Sequence, residues 1–195
     1  MKATDLLKQQ HRAVEKLFNA LATEQSQTKK TQLFETLAST LMAHDAIERE
    51  IFYPACEKAM GLNEVLGEAI AEHSVIEFCL YEAEQAIDKD AFTFKCKVLR
   101  EIVDHHVVEE ESELFPAVDD AISTAELKSL SVEMNTRFQR ALTEDFRELL
   151  YSNLKQVLAG AIEPKRADPD PETNGSALRK SATRPSAKQP VPSHQ

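Results

Sequence analysis

The sequence predicts an all-α protein: an up-down-up-down antiparallel four-helix bundle, an additional C-terminal helix and a disordered tail. Three observations predict this fold. The 195 residues include only 4 glycines and no tryptophan, and apolar residues recur at helical spacing through most of the chain. The predicted helices are joined by short connections near 24–28, 60–62 and 88–91, which place successive helices antiparallel. Six of the eight prolines lie in the last 32 residues, beyond the helical pattern.

Four apolar stripes with a spacing of three or four residues define the bundle helices. Their main members, in chain order, are Leu7, Val14 and Phe18; Leu33, Leu37 and Leu41; Leu62, Leu66 and Ile70; and Leu99, Ile102 and Leu114. Asp5 near the start of the first stripe favours an N-terminal cap. Each stripe faces the common core of the predicted bundle.

A further stripe, from Ser123 to Gly160, predicts the additional helix. If unbroken, this helix would be roughly 55 Å long, so it is expected either to bend and pack on the bundle or to overhang it. An overhanging apolar stripe at 123–160 would bind a protein partner or a second copy. The tail is rich in Pro, Ser and Lys and has few large apolar groups, so disorder is expected. The chain is therefore divided into 1–122, 123–163 and 164–195.

The charge and composition exclude several classes of function. The net charge is −10, and the tail carries six Lys or Arg and three Asp or Glu, which leaves −13 on residues 1–163. Nucleic acid is not an expected partner, because its binding depends on neutralising phosphates. No apolar stretch is long enough for a membrane span, and the N-terminus does not resemble a signal peptide. Cys56, Cys79 and Cys96 have no paired spacing, which favours free thiols and a cytoplasmic location.

A polar motif repeats within the helical region. The segments AHDAIEREIFYPA (43–55) and HHVVEEESELFPA (105–117) both contain His-x-x-x-Glu, with a proline six residues after the glutamate. An offset of 62 residues relates His11 to His73, Glu15 to Glu77, His44 to His106, Glu48 to Glu110 and Pro54 to Pro116. The offset indicates an internal duplication of a helical hairpin. The two prolines are expected to end the helices that carry the motif.

Each predicted bundle helix has one such histidine, and a glutamate follows four residues later on the same helix face. Burying so many titratable groups is costly unless they are paired or bind a cation. Imidazole and carboxylate without thiolate favour iron, manganese or zinc, and ligands from four helices favour two carboxylate-bridged ions. Because one residue turns a helix by about 100°, only one of His105 and His106 can face the centre, and the 62-residue offset selects His106.

The segments QQHRAVEKLF, HDAIEREIFYP, EHSVIEF and HVVEEESELFP resemble the hemerythrin-like, or HHE cation-binding, domain. The resemblance covers the chain from residue 1 to about residue 120. It implies two non-haem iron ions with four terminal ligands, His11, His44, His73 and His106. It also implies that Glu48 and Glu110 bridge the ions together with an oxo or hydroxo group, and that one coordination position is open.

One position departs from the family. Oxygen-carrying hemerythrins have an additional histidine one turn after the ligand of the third helix, and here that position is Glu77. Reversible dioxygen carriage is therefore in doubt. Three roles remain open: Glu77 ligates iron, Glu15 and Glu77 are symmetric acceptors that orient imidazoles, or both form ordinary salt bridges. As an anionic ligand, Glu77 would stabilise the ferric state and favour one-way redox chemistry or sensing.

Two functions follow. The first is a di-iron protein that reacts with or senses dioxygen, nitric oxide or peroxide; as an enzyme, it would consume peroxide or nitric oxide. The expected pocket walls are Val14, Phe18, Leu41, Ile76 and Val103. The alternative is an iron- or oxygen-responsive regulatory protein that acts through its C-terminal helix and tail. The ligands are the same for a carrier, a sensor and an enzyme, and no glycine-rich nucleotide-binding loop is present.

Overall fold

The computed structural model describes residues 1–158, and these form six helices without a strand. They are α1 (Ala3–Thr23), α2 (Gln27–Ile47, Glu48–Phe52 and Tyr53–Met60 in succession), α3 (Glu64–Glu84), α4 (Phe92–Glu109, Glu110–Leu114 and Phe115–Ala121), α5 (Thr124–Ala141) and α6 (Phe146–Leu158). The predicted all-helical bundle is confirmed. Among these helices, none is both long and apolar enough to cross a membrane. The tail predicted to be disordered, 164–195, lies outside the described residues.

The bundle helices are joined where the sequence predicts connections. The connecting residues are 24–26, 61–63 and 85–91. Ser26 caps α2, because its hydroxyl accepts from the backbone N–H of Lys29 at 3.5 Å. Asn63 caps α3, because its side-chain oxygen accepts from the backbone N–H of Leu66 at 3.0 Å. These short, capped connections give successive helices opposite directions.

Two apolar cores fill the bundle, one toward each end. Among their buried residues are Phe18, Leu37, Leu80 and Leu99 in the first core, and Leu7, Ile47, Leu66 and Leu114 in the second. On each of α1 to α4, the histidine predicted to bind metal stands between buried residues of one core and buried residues of the other. The histidines therefore share one polar layer that apolar side chains shield from water on both sides.

The prolines of the repeated motif do not end their helices, so this prediction is wrong. At the motif glutamate, α2 and α4 each change to one π-helical turn, Glu48–Phe52 and Glu110–Leu114, and then continue as α-helix. Pro54 and Pro116 lie in the first turn of the continuation. The usual hydrogen-bond ladder is already interrupted there, so the missing N–H and the proline ring are tolerated.

The backbone hydrogen bonds identify the π-turns. The N–H of Tyr53 donates to the carbonyl of Glu48, five residues earlier, instead of four. The N–H of Phe115 donates to the carbonyl of Glu110 in the same way. Each turn therefore contains one residue more than an α-helical turn, and the residues after it are rotated relative to the α-helical pattern. The internal duplication thus includes a backbone irregularity as well as side chains.

The extension was predicted as one helix, but the described part of 123–163 contains two, α5 and α6. Residues 142–145 separate them, and the Asp145 carboxylate accepts from the backbone N–H of Arg147 at 3.0 Å, which starts α6. α5 packs on α1 and α2, whereas α6 packs on α2 and α3. Their buried residues join the two bundle cores: Leu127, Met134, Phe146 and Leu150. The stripe therefore bends and packs on the bundle instead of overhanging it.

Candidate metal centre

Four buried histidines, one from each of α1 to α4, meet in the middle of the bundle. His11, His44, His73 and His106 are between 3% and 6% exposed. Their Nε2 atoms form two close pairs, 3.2 Å apart for His11 and His44 and 3.1 Å apart for His73 and His106. Each pair joins residues 33 apart in the sequence. Each copy of the duplicated hairpin therefore contributes one pair.

Glu48 and Glu110 lie between the two histidine pairs. They are 0% and 1% exposed, respectively. Oε2 of Glu48 is 3.2 Å from Nε2 of both His44 and His73. Oε2 of Glu110 approaches Nε2 of the other two histidines at 3.4 and 3.6 Å. Each carboxylate therefore reaches one imidazole from each copy of the hairpin, as a bridging carboxylate would.

Several oxygens of these glutamates are buried without a hydrogen-bond partner. Among the described residues, none donates to either oxygen of Glu48 or to Oε2 of Glu110. Such atoms are rare in folded proteins, and a buried anion needs compensation. The site atoms form two groups, each with its ligand atoms within 4.8 Å of one another: His11, His44, Glu48 and Glu110, and Glu48, His73 and His106. This donor set fits transition-metal cations, with Glu48 common to both groups.

A second set of side chains fixes the orientation of each imidazole. Nδ1 is paired with an oxygen of Glu111 for His11 (2.8 Å), Gln10 for His44 (2.8 Å), Asp45 for His73 (2.5 Å) and Glu72 for His106 (2.8 Å). Because all four oxygens are acceptors, Nδ1 carries a hydrogen in each histidine. Nε2 is then the nitrogen directed at the centre of the site, as a metal ligand requires.

The two further candidates, Glu15 and Glu77, have different surroundings. Glu77 is 1% exposed, and its oxygens lie 2.5 Å from Nδ2 of Asn153 and 3.3 Å from a guanidinium nitrogen of Arg49. Glu15 is exposed. Within residues 1–158, neither belongs to a group of metal-ligand atoms or hydrogen-bonds an imidazole. Glu77 therefore lies in a buried ion pair with Arg49, and the ligand and orienting roles of Glu77 and Glu15 stay predictions.

The adjacent histidines of α4 differ in burial. His106 is 3% exposed and lies in the central layer. The side chain of His105 is 61% exposed and is 3.4 Å from Glu72 and 3.2 Å from Glu109. The structure therefore directs His106 to the centre, as the offset of 62 residues predicts, and places His105 at the surface.

Tyr53 is a site residue that the sequence reasoning missed. Its hydroxyl donates to Oε1 of Glu110 at 3.0 Å and is 2.7 Å from Nε2 of His73. An α-helical pattern turns residue 53 away from the face of Glu48, but the π-turn adds one residue and returns it to that face. The aromatic residue before proline in both motifs was the available signal. The equivalent residue, Phe115, instead stacks on His11 with a centroid distance of 5.8 Å.

The electrostatic environment sets the protonation of the site. Burial lowers the pKa of His73, but the hydrogen bond to Asp45 and the negative charges of Asp45 and Glu48 outweigh it and raise the pKa to about 10. Burial raises the pKa of Glu48, but the neighbouring histidines hold it well below its ordinary value. Burial and nearby carboxylates raise the pKa of Tyr53 well above its ordinary value. Tyr53 therefore keeps its proton, and a metal that binds His73 displaces one.

A cavity of about 30 Å³ lies beside the four histidines. Four of the five predicted wall residues line it: Val14, Leu41, Ile76 and Val103. The fifth, Phe18, is buried in the same apolar core as these residues but does not line the cavity. Met42, Leu80 and Val107 complete the apolar part of the wall. The space next to the site is therefore small and largely apolar.

A surface pocket of about 220 Å³ opens in the seam between α1 and α4. It shares four lining residues with the inner cavity: His11, Val14, Val103 and Val107. Its remaining lining includes Arg12 and Arg100, together with Glu15 and Asp104. The surface pocket and the inner cavity therefore meet at the same four side chains.

A buried layer of four imidazoles and two carboxylates, one imidazole from each helix, defines a metal-binding helical bundle. The model of the hemerythrin HHE cation binding domain matches residues 2–118. The crystal structure of a hemerythrin HHE cation binding domain-containing protein from Mycobacterium kansasii has the same fold, with a TM-score of 0.65 and 23% identity over 81% of this chain and 93% of that chain. The chain belongs to the hemerythrin HHE cation-binding family.

A curated relative extends the comparison. A protein of Nostoc sp. (strain PCC 7120), named DNA nickase, is 30% identical over 135 residues, which are 68% of this chain and 38% of that protein. The chain thus spans little more than a third of the length of that relative. The family match ends at residue 118, so α5 and α6 lie beyond it.

Proposed function

We propose that this protein binds two non-haem iron ions and uses them to react with or to sense dioxygen, nitric oxide or peroxide. The observation that carries the proposal is the pair of overlapping ligand groups, whose shared carboxylate, Glu48, has no hydrogen-bond donor among residues 1–158. The first group would hold one ion and the second group the other. Glu48 and Glu110 would bridge the ions, because each carboxylate approaches imidazoles from both histidine pairs.

The size of the cavity supports a small molecule as the reactant. Two bound iron ions would supply an open coordination position and electrons for a small oxidant. A water molecule needs roughly 10–15 Å³ of such space, so a cavity of about 30 Å³ holds about two non-hydrogen atoms. Val14, Ile76 and Val103 keep the space apolar. An organic substrate would not fit without displacing these side chains.

Tyr53 supplies a proton donor among the proposed metal ligands, in contact with His73 and Glu110. Its Oη atom lies between Nε2 of His73 and Oε1 of Glu110, and its raised pKa keeps it neutral. A neutral hydroxyl at this position can donate a hydrogen bond to a small anionic species, which the buried carboxylates cannot do. Tyr53 would therefore hold a proton beside two of the metal ligands, His73 and Glu110.

Metal analysis of purified protein tests the core of the proposal. We expect about two iron ions per chain after anaerobic loading with ferrous iron, one for each ligand group. The variant His44→Ala with His106→Ala removes one imidazole from each group and should lose both ions. His105→Ala, which changes the exposed neighbour of His106, is the matched control and should keep them. Protein that takes up no iron under these conditions refutes the proposal.

The kind of reaction is tested on the iron-loaded protein. A reversible absorption band on cycling between argon and dioxygen indicates carriage. Continuous peroxide or nitric oxide consumption over many turnovers indicates an enzyme, and one turnover followed by a stable oxidised state indicates a sensor. Because Glu77 replaces the additional histidine of the oxygen carriers, we expect no reversible band.

A regulatory function through the C-terminal region is the second candidate. The observation that favours it is the contact of Asn153 in α6 with Asp45 and Glu77 beside the site. A partner that binds the region after α6 would then respond to the metal. Capture of a partner by the full chain, compared with a chain that ends at residue 158, tests this function in the presence and absence of iron. Equal capture by both chains argues against it.

DNA cleavage is not part of the proposal. The activity named for the Nostoc relative belongs to a protein of which this chain spans 38%, and residues 1–163 carry a net charge of −13, which disfavours phosphate binding. A cytoplasmic location is proposed because Cys56, Cys79 and Cys96 are free thiols.

A further inference from the structure

The last described helix reaches the charged groups behind His73. Nδ2 of Asn153 donates to Oδ2 of Asp45 at 3.1 Å and to Oε1 of Glu77 at 2.5 Å. Asp45 lies on α2 and Glu77 on α3, so one amide group joins three helices. Asn153 is beyond the residues that match the family model, 2–118.

The position of Asp45 depends on how its two oxygens are held. Oδ1 accepts from Nδ1 of His73 at 2.5 Å and from Nε of Arg49 at 2.7 Å. For Oδ2, Asn153 is the donor that the described residues provide. A carboxylate held at both oxygens has a fixed plane, so the amide of Asn153 determines how Oδ1 faces the imidazole.

Asn153 also separates two carboxylates that would otherwise oppose each other. Asp45 and Glu77 are 6% and 1% exposed, and both are close to the single guanidinium of Arg49. Arg49 is shared by both carboxylates, and His73 contacts Asp45 but not Glu77, so this pair of buried anions benefits from a further donor. The NH2 group of Asn153 donates one hydrogen to each and supplies the remaining stabilisation without adding charge.

The attachment of α6 does not depend on this contact alone. Phe146 and Leu150 are 4% and 0% exposed in the first core. Arg147 pairs with Glu84 at 3.0 Å and with Glu35 at 3.4 Å. A substitution at Asn153 therefore leaves the main anchors of the helix in place, so an effect on the metal site can be separated from detachment of α6.

We propose that Asn153 is a positioning residue of the metal centre, and that the docking of α6 and metal binding at His73 stabilise each other through Asp45. The proposal rests on the metal ligands of the proposed function but not on its reaction with small molecules. Residues behind a metal ligand hold it in its binding orientation, and their loss weakens metal affinity. Coupling between two sites is reciprocal, so metal binding at His73 must also strengthen the docking of α6.

The other half of the bundle provides an internal reference. Nδ1 of His11 is held by Glu111 of α4, and Glu111 is held in turn by Arg12 of α1 at 2.5 Å. Both residues belong to the bundle helices themselves. The orientation of His11 therefore does not depend on α6, and a change at Asn153 should mainly affect the group that contains His73.

Cobalt(II) titration of the full chain, followed by visible absorption, tests the proposal. Asn153→Leu removes the donor but keeps a side chain of similar volume. It should lower the affinity of one of the two cobalt-binding steps by about tenfold, which is the lower end of the effect of losing a residue that holds a metal ligand. It should also change the absorption of that step only. Gln156→Leu, at an exposed position of α6, is the matched control. Equal weakening of both steps, or binding that equals the control, overturns the proposal.

Hydrogen exchange of the wild-type chain tests the reciprocal effect. The backbone amides of α6 should exchange more slowly with cobalt bound than in chelator, and Asn153→Leu should remove this difference. Exchange in α6 that does not change with metal overturns the proposal. Cobalt readouts do not require iron chemistry. If Asn153→Leu weakens one cobalt-binding step but the iron-loaded protein does not react with small molecules, only the proposed reaction is refuted. If the iron-loaded protein reacts but Asn153→Leu does not change cobalt binding, only the role of Asn153 is refuted.

Discussion

The seam between α2 and α3 and the seam between α4 and α1 are equivalent in the duplicated hairpin, but they have different coverings. α6 packs on the first seam, and Asn153 bonds Asp45 and Glu77 there. In the repeat, the residue equivalent to Asp45 is Val107 and the residue equivalent to Glu77 is Glu15, and both line the surface pocket of the second seam. The same backbone arrangement therefore supports a covered charged network on one side and, on the other, a surface pocket with valines next to the site and charged residues in the rest of its lining.

The difference shows how a symmetric ligand set acquires two distinct sides. The ligands themselves are nearly equivalent, since each copy supplies two imidazoles and one carboxylate. Their environments are not, because one side is sealed by buried charges and the other by a layer that includes Val14, Val103 and Val107. We infer that small molecules would reach the proposed metal site through the α1–α4 seam, because α6 covers the α2–α3 seam. Four predictions test this comparison.

The largest expected effect is the loss of the histidine on the charged side. In metal-free protein, His73→Ala removes a buried cation that contacts both Asp45 and Glu48 and leaves Asp45 with Arg49 alone. Breaking a buried pair costs about 3–5 kcal/mol. His11→Ala should cost less, because Glu111 keeps Arg12 and is partly exposed. Urea denaturation in the presence of chelator measures both values. Equal losses would show that the two sides have the same electrostatic character.

Glu77→Gln should stabilise the metal-free protein in a pH-dependent way. Burial and the charge of Asp45 raise the pKa of Glu77 to about 7 from 4.5. A raised carboxyl pKa means that ionisation of Glu77 destabilises the folded protein. This destabilisation is absent below pH 4.5, grows up to about pH 7 and is constant above pH 7. The variant should therefore gain on the order of 1–3 kcal/mol at pH 8 and little at pH 4.5.

Glu15→Gln is the matched control for that measurement, because Glu15 occupies the equivalent position but is exposed. Its free energy of unfolding should change by less than about 0.5 kcal/mol at either pH, as for most surface substitutions. A gain for Glu77→Gln that is the same at both pH values would exclude ionisation as the cause.

The open seam is tested by a larger side chain at its half-buried valine. Val107→Phe narrows the layer shared by the pocket and the cavity. In iron-loaded protein it should slow the binding of azide about tenfold, which equals roughly 1.4 kcal/mol in the barrier. Val98→Phe, at a 48% exposed position of the same helix, should leave the rate unchanged. Equal rates for the two variants would place the entrance elsewhere.

The smallest effect is expected where the two copies differ by one hydroxyl. Tyr53→Phe makes this position like Phe115 and removes the hydrogen bond to Glu110. The metal-free protein should lose about 1 kcal/mol, the typical net value of one hydrogen bond. Thermal denaturation in chelator measures the loss. A variant as stable as the wild type would show that the hydrogen bond to Glu110 does not stabilise the metal-free protein.

The sequence was sufficient to predict the helices and the central histidines, because both follow from the spacing of residues along the chain. Apolar periodicity indicated α1 to α4, and the offset of 62 residues distinguished His106 from His105. Three features depend on information that spacing does not contain. First, the π-turns shift the helical register and bring Tyr53 into the site. Second, Asn153 contacts Asp45, which is 108 residues away in the sequence. Third, Glu15 and Glu77 have opposite environments because, within the described part of the chain, α6 covers Glu77 but not Glu15.

The paired π-turns also bear on how the internal duplication arose. Each contains one residue more than an α-helical turn, and their starts, Glu48 and Glu110, are 62 positions apart, like the other repeated residues. Two separate insertions at matching places would be needed if the helices had acquired them independently. One insertion in an ancestral single hairpin, before the gene segment was copied and fused, accounts for both. Each π-turn, with its extra residue, is therefore part of the repeated unit, like the histidine and the glutamate of the motif.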